Sequence, residues 1–182
     1  MHLDQLDYEL EAAVVLGRTI RDADVATANG AIFGLMVMND LSARALQMHE
    51  MKLNLGPAKG KDFATTLGPY LIPVEDLGPA RRSTPRGDHF DLAMTARHNG
   101  EQVAAGRLSD MHWTFAEIIA RASYGVTLHP GEVIGSGTVG TGCFLETNGS
   151  KIHNNRWLQV GDSIDCEIES LGCLHNTIEL VP

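Results

Sequence analysis

Cysteine is scarce. The 182 residues contain three, Cys143, Cys166 and Cys173, at spacings that fit neither a zinc site nor an even disulfide set, so they read as buried free thiols of a reducing cytosol. Aromatic residues make up only 5%. No apolar run approaches the roughly 20 residues that a bilayer-crossing helix needs. The acidic start, MHLDQLDYELE, lacks the basic and apolar segments of a secretory signal. Basic residues are in deficit too, 14 Lys and Arg against 23 Asp and Glu, for a net charge of −9. That balance argues against a nucleic-acid partner, because a phosphate backbone calls for clustered cations. The nearest basic cluster, Arg81, Arg82 and Arg86, sits in a Pro/Ser/Thr-rich stretch that reads as solvated surface. What is there, 43% hydrophobic and 20% charged residues, is the make-up of a cytoplasmic globular protein, one domain over 1–182 with neither membrane nor nucleic-acid partners.

The pattern along the chain is mostly strand. A strand is expected over 6–16 and a short helix over 22–30, capped by Asp22 or Asp24 and closed by Asn29-Gly30. The run from Ile32 to Met38 is apolar at nearly every residue, which suits a strand buried on both faces. A helical turn over 42–51, a loop over 53–61, a short strand over 70–73 and a polar surface excursion over 75–88 follow. Asn99-Gly100 is a strong two-residue hairpin signal. Residues 114–122 have helical spacing, with Ser109 or Asp110 as caps. A second hairpin is expected around Asn148-Gly149, and a final strand over 163–169, with 176–181 ending the chain. Few short helices among many strands indicate a mostly-β or α+β fold with mixed sheets.

The chemistry gathers around residues 39–65. Along a strand, residues i and i+2 share a face about 6.6 Å apart, so Glu9 and Glu11 project together. Asp40 closes the apolar run and, if buried, needs a partner. Three carboxylates make an all-oxygen site for Mg²⁺, Mn²⁺ or Ca²⁺ rather than zinc; the competing reading makes Glu9 and Glu11 the wet face of a strand. Arg44 and Gln47, three apart, share a helix face and suit a substrate carboxylate, with Lys61 nearby, although Arg44 equally suits a salt bridge to Asp40 or Glu50. The segment from Gly56 to Asp62 departs from a phosphate-binding loop in glycine spacing and in having Asp in place of Ser or Thr. The glycine-rich run 135–142 reads as tight turns or as close backbone approach to a ligand, with Thr138 offering a hydroxyl, and is no dinucleotide fingerprint because a hairpin is expected after it.

With DYELE (7–11), NDLSARALQ (39–47), LGPAKGKDFATTLGPYL (55–71), LHPGEVIGSGTVGTGCFLE (128–146) and VGDSID (160–165), the chain resembles the catalytic C-terminal domain of the fumarylacetoacetate hydrolase family. The resemblance implies a mixed β-sheet roll with few short helices, usually a homodimer, binding Mg²⁺ or Mn²⁺ through positions matched by Glu9, Glu11 and Asp40. It matches Arg44, Gln47 and Lys61 to substrate-side residues, Thr138 to a substrate-binding threonine, Thr65 to a residue near the metal, and Glu146 to a glutamate that partners a general-base histidine in some members. That histidine belongs to an upstream segment expected to be missing here; no histidine of this sequence matches it, and Met51 stands where some members have a tyrosine. The implied activity is metal-dependent chemistry on a small 1,3-dicarbonyl or 2-oxo acid. C–C hydrolysis of a fumarylacetoacetate- or acylpyruvate-like compound through an enolate is the first expectation, with Lys61 and Glu146 catalytic. A decarboxylase, a tautomerase or isomerase, or a catalytically impaired metal-binding fragment are the alternatives.

Overall fold

The computed structural model describes residues 4–54 and 56–180; His2, Leu55 of the expected loop and Val181 of the expected chain end lie outside the described residues. β1 (Leu6–Asp7) passes through Tyr8 and Glu9 into β2 (Leu10–Leu16), so the strand expected over 6–16 is broken. The chain changes partner at the break: β1 pairs with β5 (Ser42–Ala43), and β2 pairs with β4 (Ile32–Asp40). Between them β3 (Ile20–Arg21) leads to α1 (Val25–Asn29), where the Asp24 carboxylate accepts from Thr27 N at 2.7 Å as N-cap. α2 (Arg44–Met51) follows β5 directly, and β6 (Thr65–Leu67) and β7 (Ile72–Pro73) return to pair with β4.

The expected polar excursion is a hairpin of β8 (Arg81–Thr84) and β9 (Gly87–Phe90), pinned by buried Asp88 to Arg81, Ser83 and Asn29. β10 (Ala93–His98) and β11 (Glu101–Arg107) flank Asn99 and Gly100, both at positive φ (51° and 82°), as a tight two-residue turn demands. α3 (Phe115–Ala122) is capped by Thr114, not by Ser109 or Asp110, which lie in a 3-10 turn. Glu117 closes a reciprocal capping box with Thr114, supplying the two bonds that the earlier candidates are too far upstream to make. β12 (Thr127–Leu128) pairs with β3, and β13 (Val133–Gly135) with β2.

Residues 144–152 are not a hairpin. α4 (Phe144–Gly149) occupies the place, because its first amides, Phe144 N and Leu145 N, donate to the Asp7 carboxylate at 2.7 and 2.9 Å and start a helix there. β14 (Ser163–Ile168) and β15 (Gly172–Thr177) form the last hairpin. Ser170 at φ 64° turns the chain back, so one more strand, β15, follows the one expected to be last.

Two sheets carry the fold, β13-β2-β4-β6 with β7 also on β4, and β11-β10-β14-β15. Every pairing among the described strands is antiparallel where mixed sheets were expected, since hairpins and returns, not crossover helices, connect them. Leu10, Ala12, Val14 and Leu16 of β2 meet Leu35 and Val37 of β4, Met94 and Ala96 of β10, Ile164 and Ile168 of β14, and Phe115 and Ile119 of α3 in one buried cluster. Burying each large aliphatic side chain contributes about 1.5–3 kcal/mol. The other face of β4 is not closed as the apolar run suggested: Phe33 is 47% exposed, and Met36, Met38 and Asp40 are half-buried. An antiparallel sheet tolerates one open face, and the acids lie on this one.

Candidate metal centre

Register brings the acids together. Leu10 faces Asn39 and Glu11 faces Met38 across the β2–β4 ladder, and Asp40 N donates to Glu9 O at 3.3 Å, so Glu9 and Asp40 are cross-strand neighbours. Glu11 follows Glu9 by two residues on the same face. One carboxylate oxygen from each of Glu9, Glu11 and Asp40 lies within 4.8 Å of the others. Glu9 and Glu11 are buried, which disposes of the wet-face reading.

Two side-chain cations enter this cluster. Lys61 Nζ lies 2.7 Å from Glu9 Oε2, 2.8 Å from Asp40 Oδ2 and 2.7 Å from Ser42 Oγ. Arg44 is buried and pairs with Glu9 Oε1 through Nη2 at 2.8 Å and with Asp7 Oδ2 through Nε at 2.9 Å, while Nη1 donates to Gln47 Oε1 at 2.9 Å. It therefore makes neither expected salt bridge, to Asp40 or Glu50, and does not face the open side as a substrate clamp: burial behind Glu9 commits its donors to the protein. Burial raises the Glu9 carboxyl, but Lys61 and Arg44 outweigh it and hold the pKa below the ordinary value. Among the described residues Glu11 has no such cation. Burial first, then the charges of Glu9 and Asp40, push it up to about 8. The donor set is all oxygen, three acids on one half-open face, and one of them resists ionising beside the other two. That is the condition a hard divalent cation relieves, so these residues fit Mg²⁺ or Mn²⁺.

The supporting groups come from parts of the chain that spacing did not single out. Asn39 Oδ1 accepts from Glu9 N at 3.0 Å, and Asn39 Nδ2 donates to Asn176 Oδ1 at 3.0 Å, fixing the backbone under the acids from the far hairpin. Glu50 accepts from the amides of Ala58, Lys59 and Gly60 at 2.8–3.1 Å and so shapes the loop that delivers Lys61. Gly60 fits against α2 only without a side chain, since a Cβ would stand 2.7 Å from Gln47 N. Gly137 N donates to Glu11 Oε2 at 2.9 Å, and a Cβ at Gly135 would meet the same oxygen at 2.6 Å. The glycine run is thus close backbone approach, to a side chain of the protein itself. A helix does follow it, but the first amides of α4 are taken by Asp7, which removes them from any phosphate.

The family model of the fumarylacetoacetate (FAA) hydrolase C-terminal domain matches residues 2–179. The chain belongs to this family. Among curated members it is 33% identical over 177 residues to the oxaloacetate tautomerase YisK of Bacillus subtilis, covering 96% of this chain and 52% of the relative. It is 31% identical over 178 residues to the fumarylacetoacetase of Arabidopsis thaliana, covering 81% and 42%. The chain spans about half the length of the curated relatives it matches. Among solved structures, the fumarylacetoacetate hydrolase of Exiguobacterium antarcticum superposes with a TM-score of 0.75 at 30% identity, covering 97% of this chain and 57% of that one. A fumarylpyruvate hydrolase of Pseudomonas aeruginosa, solved with Mn²⁺ and pyruvate, shares the fold at 24% identity and a TM-score of 0.77, covering 97% and 66%. Family members are hydrolases, isomerases and tautomerases, and a mostly-β roll with few helices is their fold.

The remaining family positions are less tightly gathered. Gln47 is half-buried beside Arg44. Thr65 is exposed and opposes Asp40 in the β4–β6 register. Thr138 lines a cavity next to the acids. Glu146 is exposed on α4 and accepts from Thr141 N at 2.6 Å, bracing the turn that ends the glycine run. Among the described residues no histidine pairs with Glu9, Glu11 or Asp40.

Proposed function

We propose that this domain binds Mg²⁺ or Mn²⁺ through Glu9, Glu11 and Asp40 and interconverts the keto and enol forms of a small 2-oxo acid such as oxaloacetate. The observation that carries the reading is the convergence of three carboxylate oxygens within 4.8 Å, with the Lys61 ammonium 2.7 and 2.8 Å from two of the three residues. When bound, the cation supplies a Lewis acid that polarises the substrate carbonyl. Lys61 offsets the negative charge that develops on the enolate oxygen and offers an N–H beside it. Arg44 neutralises Glu9 from behind, and Gln47 and Thr138 hold the substrate carboxylate from the open side. Thr65 stands at the metal edge. Tautomerisation carries one proton between the α carbon and the carbonyl oxygen through a stabilised enolate, so it needs a carrier that takes the proton and returns it but no attack of water on a carbonyl, and relatives named as oxaloacetate tautomerases are 31–33% identical to this chain.

C–C hydrolysis is the second reading, favoured by the fumarylacetoacetases at 30–31% identity. It requires a base to activate water, with Glu146 orienting that base. The proposed setting is a cytoplasmic homodimer; no helix among the described residues is long and apolar enough to cross a membrane. The test is the decay of the oxaloacetate enol absorbance with purified chain. The expected result is acceleration that requires Mg²⁺ or Mn²⁺ and disappears in Asp40→Ala. Acceleration that survives either chelation or Asp40→Ala would overturn the reading.

A further inference from the structure

Beside the acids lies a cavity of about 230 Å³, of which the proposed chemistry uses only Thr138 at the edge. One side of it is apolar, built by Met94, Leu108, Met111, Trp113, Ile118 and Val139, while Ser136, Thr138 and His112 add polar groups. Gly137 joins it to the acid centre, for it lines the cavity while its N–H holds Glu11 at 2.9 Å. Gly106 on β11 lets the glycine run close the cavity, since a Cβ there would stand 2.6 Å from Val139 Cγ2. Trp113 is 57% exposed, yet it is not loose. The Arg86 guanidinium lies 5.6 Å from its ring centroid, and His112 packs edge-on at 4.9 Å. Arg86 is itself fixed, with Nε 2.8 Å from Glu117 Oε1 and Nη2 donating to His112 O at 2.9 Å. A large ring propped open to solvent at a set angle is a contact surface waiting for a flat or apolar partner.

The charges at the rim say which partner. Arg107 is the only cationic side chain lining the cavity among the described residues, and its Nε is committed to Asp91 Oδ1 at 2.6 Å. Asp110 adds a negative charge beside it. A carboxylate placed inside this cavity would meet repulsion and no unspent cation, so both carboxylates of oxaloacetate belong at the acid centre and not here. The volume is below the roughly 300–1,000 Å³ of pockets that enclose a whole drug-sized ligand, and suits one ring or a short chain.

We propose that this cavity extends the substrates of the centre beyond oxaloacetate, by binding an uncharged aryl or alkyl group that a larger 2-oxo acid carries beyond its reacting carbonyls. This rests on the proposed role of the carboxylate centre. Two probes separate the two ideas: 2,4-dioxopentanoate, with a methyl tail, and 4-phenyl-2,4-dioxobutanoate, which differs only in its ring. Dissociation constants are measured by calorimetry on the full chain with Mg²⁺. The phenyl compound is expected to bind about tenfold tighter, the combined effect of ring burial and an aromatic pair. That ratio is expected to fall to near one in Trp113→Ala and to recover in Trp113→Phe. A general structural defect would weaken both probes alike and leave the ratio standing, and a ratio kept in Trp113→Ala overturns the assignment. A ratio near one in the unaltered chain also overturns it, while leaving the carboxylate centre intact. Failure of both probes to bind in the presence of Mg²⁺ overturns the assignment together with the function it rests on. A Trp113→Ala chain that sediments as a smaller species, with the ratio unchanged, gives the surface to a second copy instead.

Discussion

Asp7 is the residue whose replacement reports most on how the site is held. Its carboxylate is fully buried and accepts four hydrogen bonds: Oδ1 from Tyr8 N at 2.9 Å and Phe144 N at 2.7 Å, Oδ2 from Leu145 N at 2.9 Å and Arg44 Nε at 2.9 Å. Burial pushes its pKa above the ordinary value against the pull of Arg44 and the two α4 amides. In Asp7→Asn one oxygen can keep two of these donors, but the new NH₂ must oppose the other two. Losing a bond to a charged partner costs about 1.5–3 kcal/mol and stranding a buried N–H about 1–3 kcal/mol, so a loss of about 3–5 kcal/mol is expected. A domain of this size has about 5–15 kcal/mol in all, so the variant should fold but unfold at much lower urea. Equilibrium urea unfolding followed by far-UV circular dichroism measures it, with exposed Asp62→Asn as a control expected to lose no more than about 0.5 kcal/mol. A loss below about 1 kcal/mol for Asp7→Asn would refute the argument that four donors converge on an ionised carboxylate there.

Three other outcomes follow from the same contacts. Mg²⁺ or Mn²⁺ is expected to raise Tm in proportion to the logarithm of its concentration, and Glu11→Gln to abolish most of that rise, measured by thermal denaturation with and without chelator. Lys61→Met is expected to lose at least about a hundredfold in oxaloacetate turnover, the typical effect of removing one charge-stabilising donor, while keeping or strengthening the cation-induced rise in Tm because a competing ammonium is gone; loss of both would make Lys61 a folding residue. Glu117, held by Arg86 and the Thr114 amide, has its pKa lowered from 4.5 to about 2. Because the folded state then binds fewer protons, its contribution is present above pH 4.5 and is lost as pH falls towards 2, so Glu117→Gln should flatten the decline in Tm across that range, and an unchanged acid limb would contradict the pairing of an ionised Glu117 with Arg86 and the Thr114 amide.

What the sequence disclosed, and what it hid, follows from the range of the interactions. Glu9 and Glu11 were readable because strand period is local, and Asp40 because an acid ending an apolar run stands out. Asn99-Gly100 was readable because positive φ at two successive residues is a demand few pairs meet. The same Asn-Gly signal failed at Asn148-Gly149. There a distant acid, Asp7, supplies a partner for helix amides across 137 and 138 residues of chain, and such a contact leaves no local trace. Arg44 was placed by spacing on the correct helix face, but its partner depended on the β1–β5 pairing, which aligns Asp7 with Ser42 and so delivers the carboxylate next to Arg44. The capping of α3 was misplaced for a smaller reason: both Ser109 and Thr114 precede the helix, and only the reciprocal position of Glu117 chooses between them. Asn39, Glu50 and the glycines 135 and 137 act through backbone amides or through lack of a side chain, properties that composition alone does not rank.

These contacts also explain why the acids can stay gathered before any ion arrives. Asp7 holds Arg44, and Arg44 holds Glu9. The same Asp7 starts α4, whose Glu146 braces Thr141. The next residue, Gly142, accepts from Leu10 N at 3.0 Å, and Val139 N returns to Leu10 O at 3.0 Å, anchoring the run whose Gly137 amide holds Glu11. Both glutamates are thus tied, by separate routes, to one buried carboxylate. Charge closes the argument. The network contains four acids, Asp7, Glu9, Glu11 and Asp40, against two side-chain cations, Arg44 and Lys61. The protein settles part of the imbalance by keeping the Glu11 carboxyl hard to ionise, and a divalent ion would settle all of it by letting that proton go. Cation binding at neutral pH should therefore release a proton, seen as an enthalpy that changes with the ionisation heat of the buffer, and an enthalpy indifferent to buffer would show either that Glu11 is already charged or that the ion sits elsewhere.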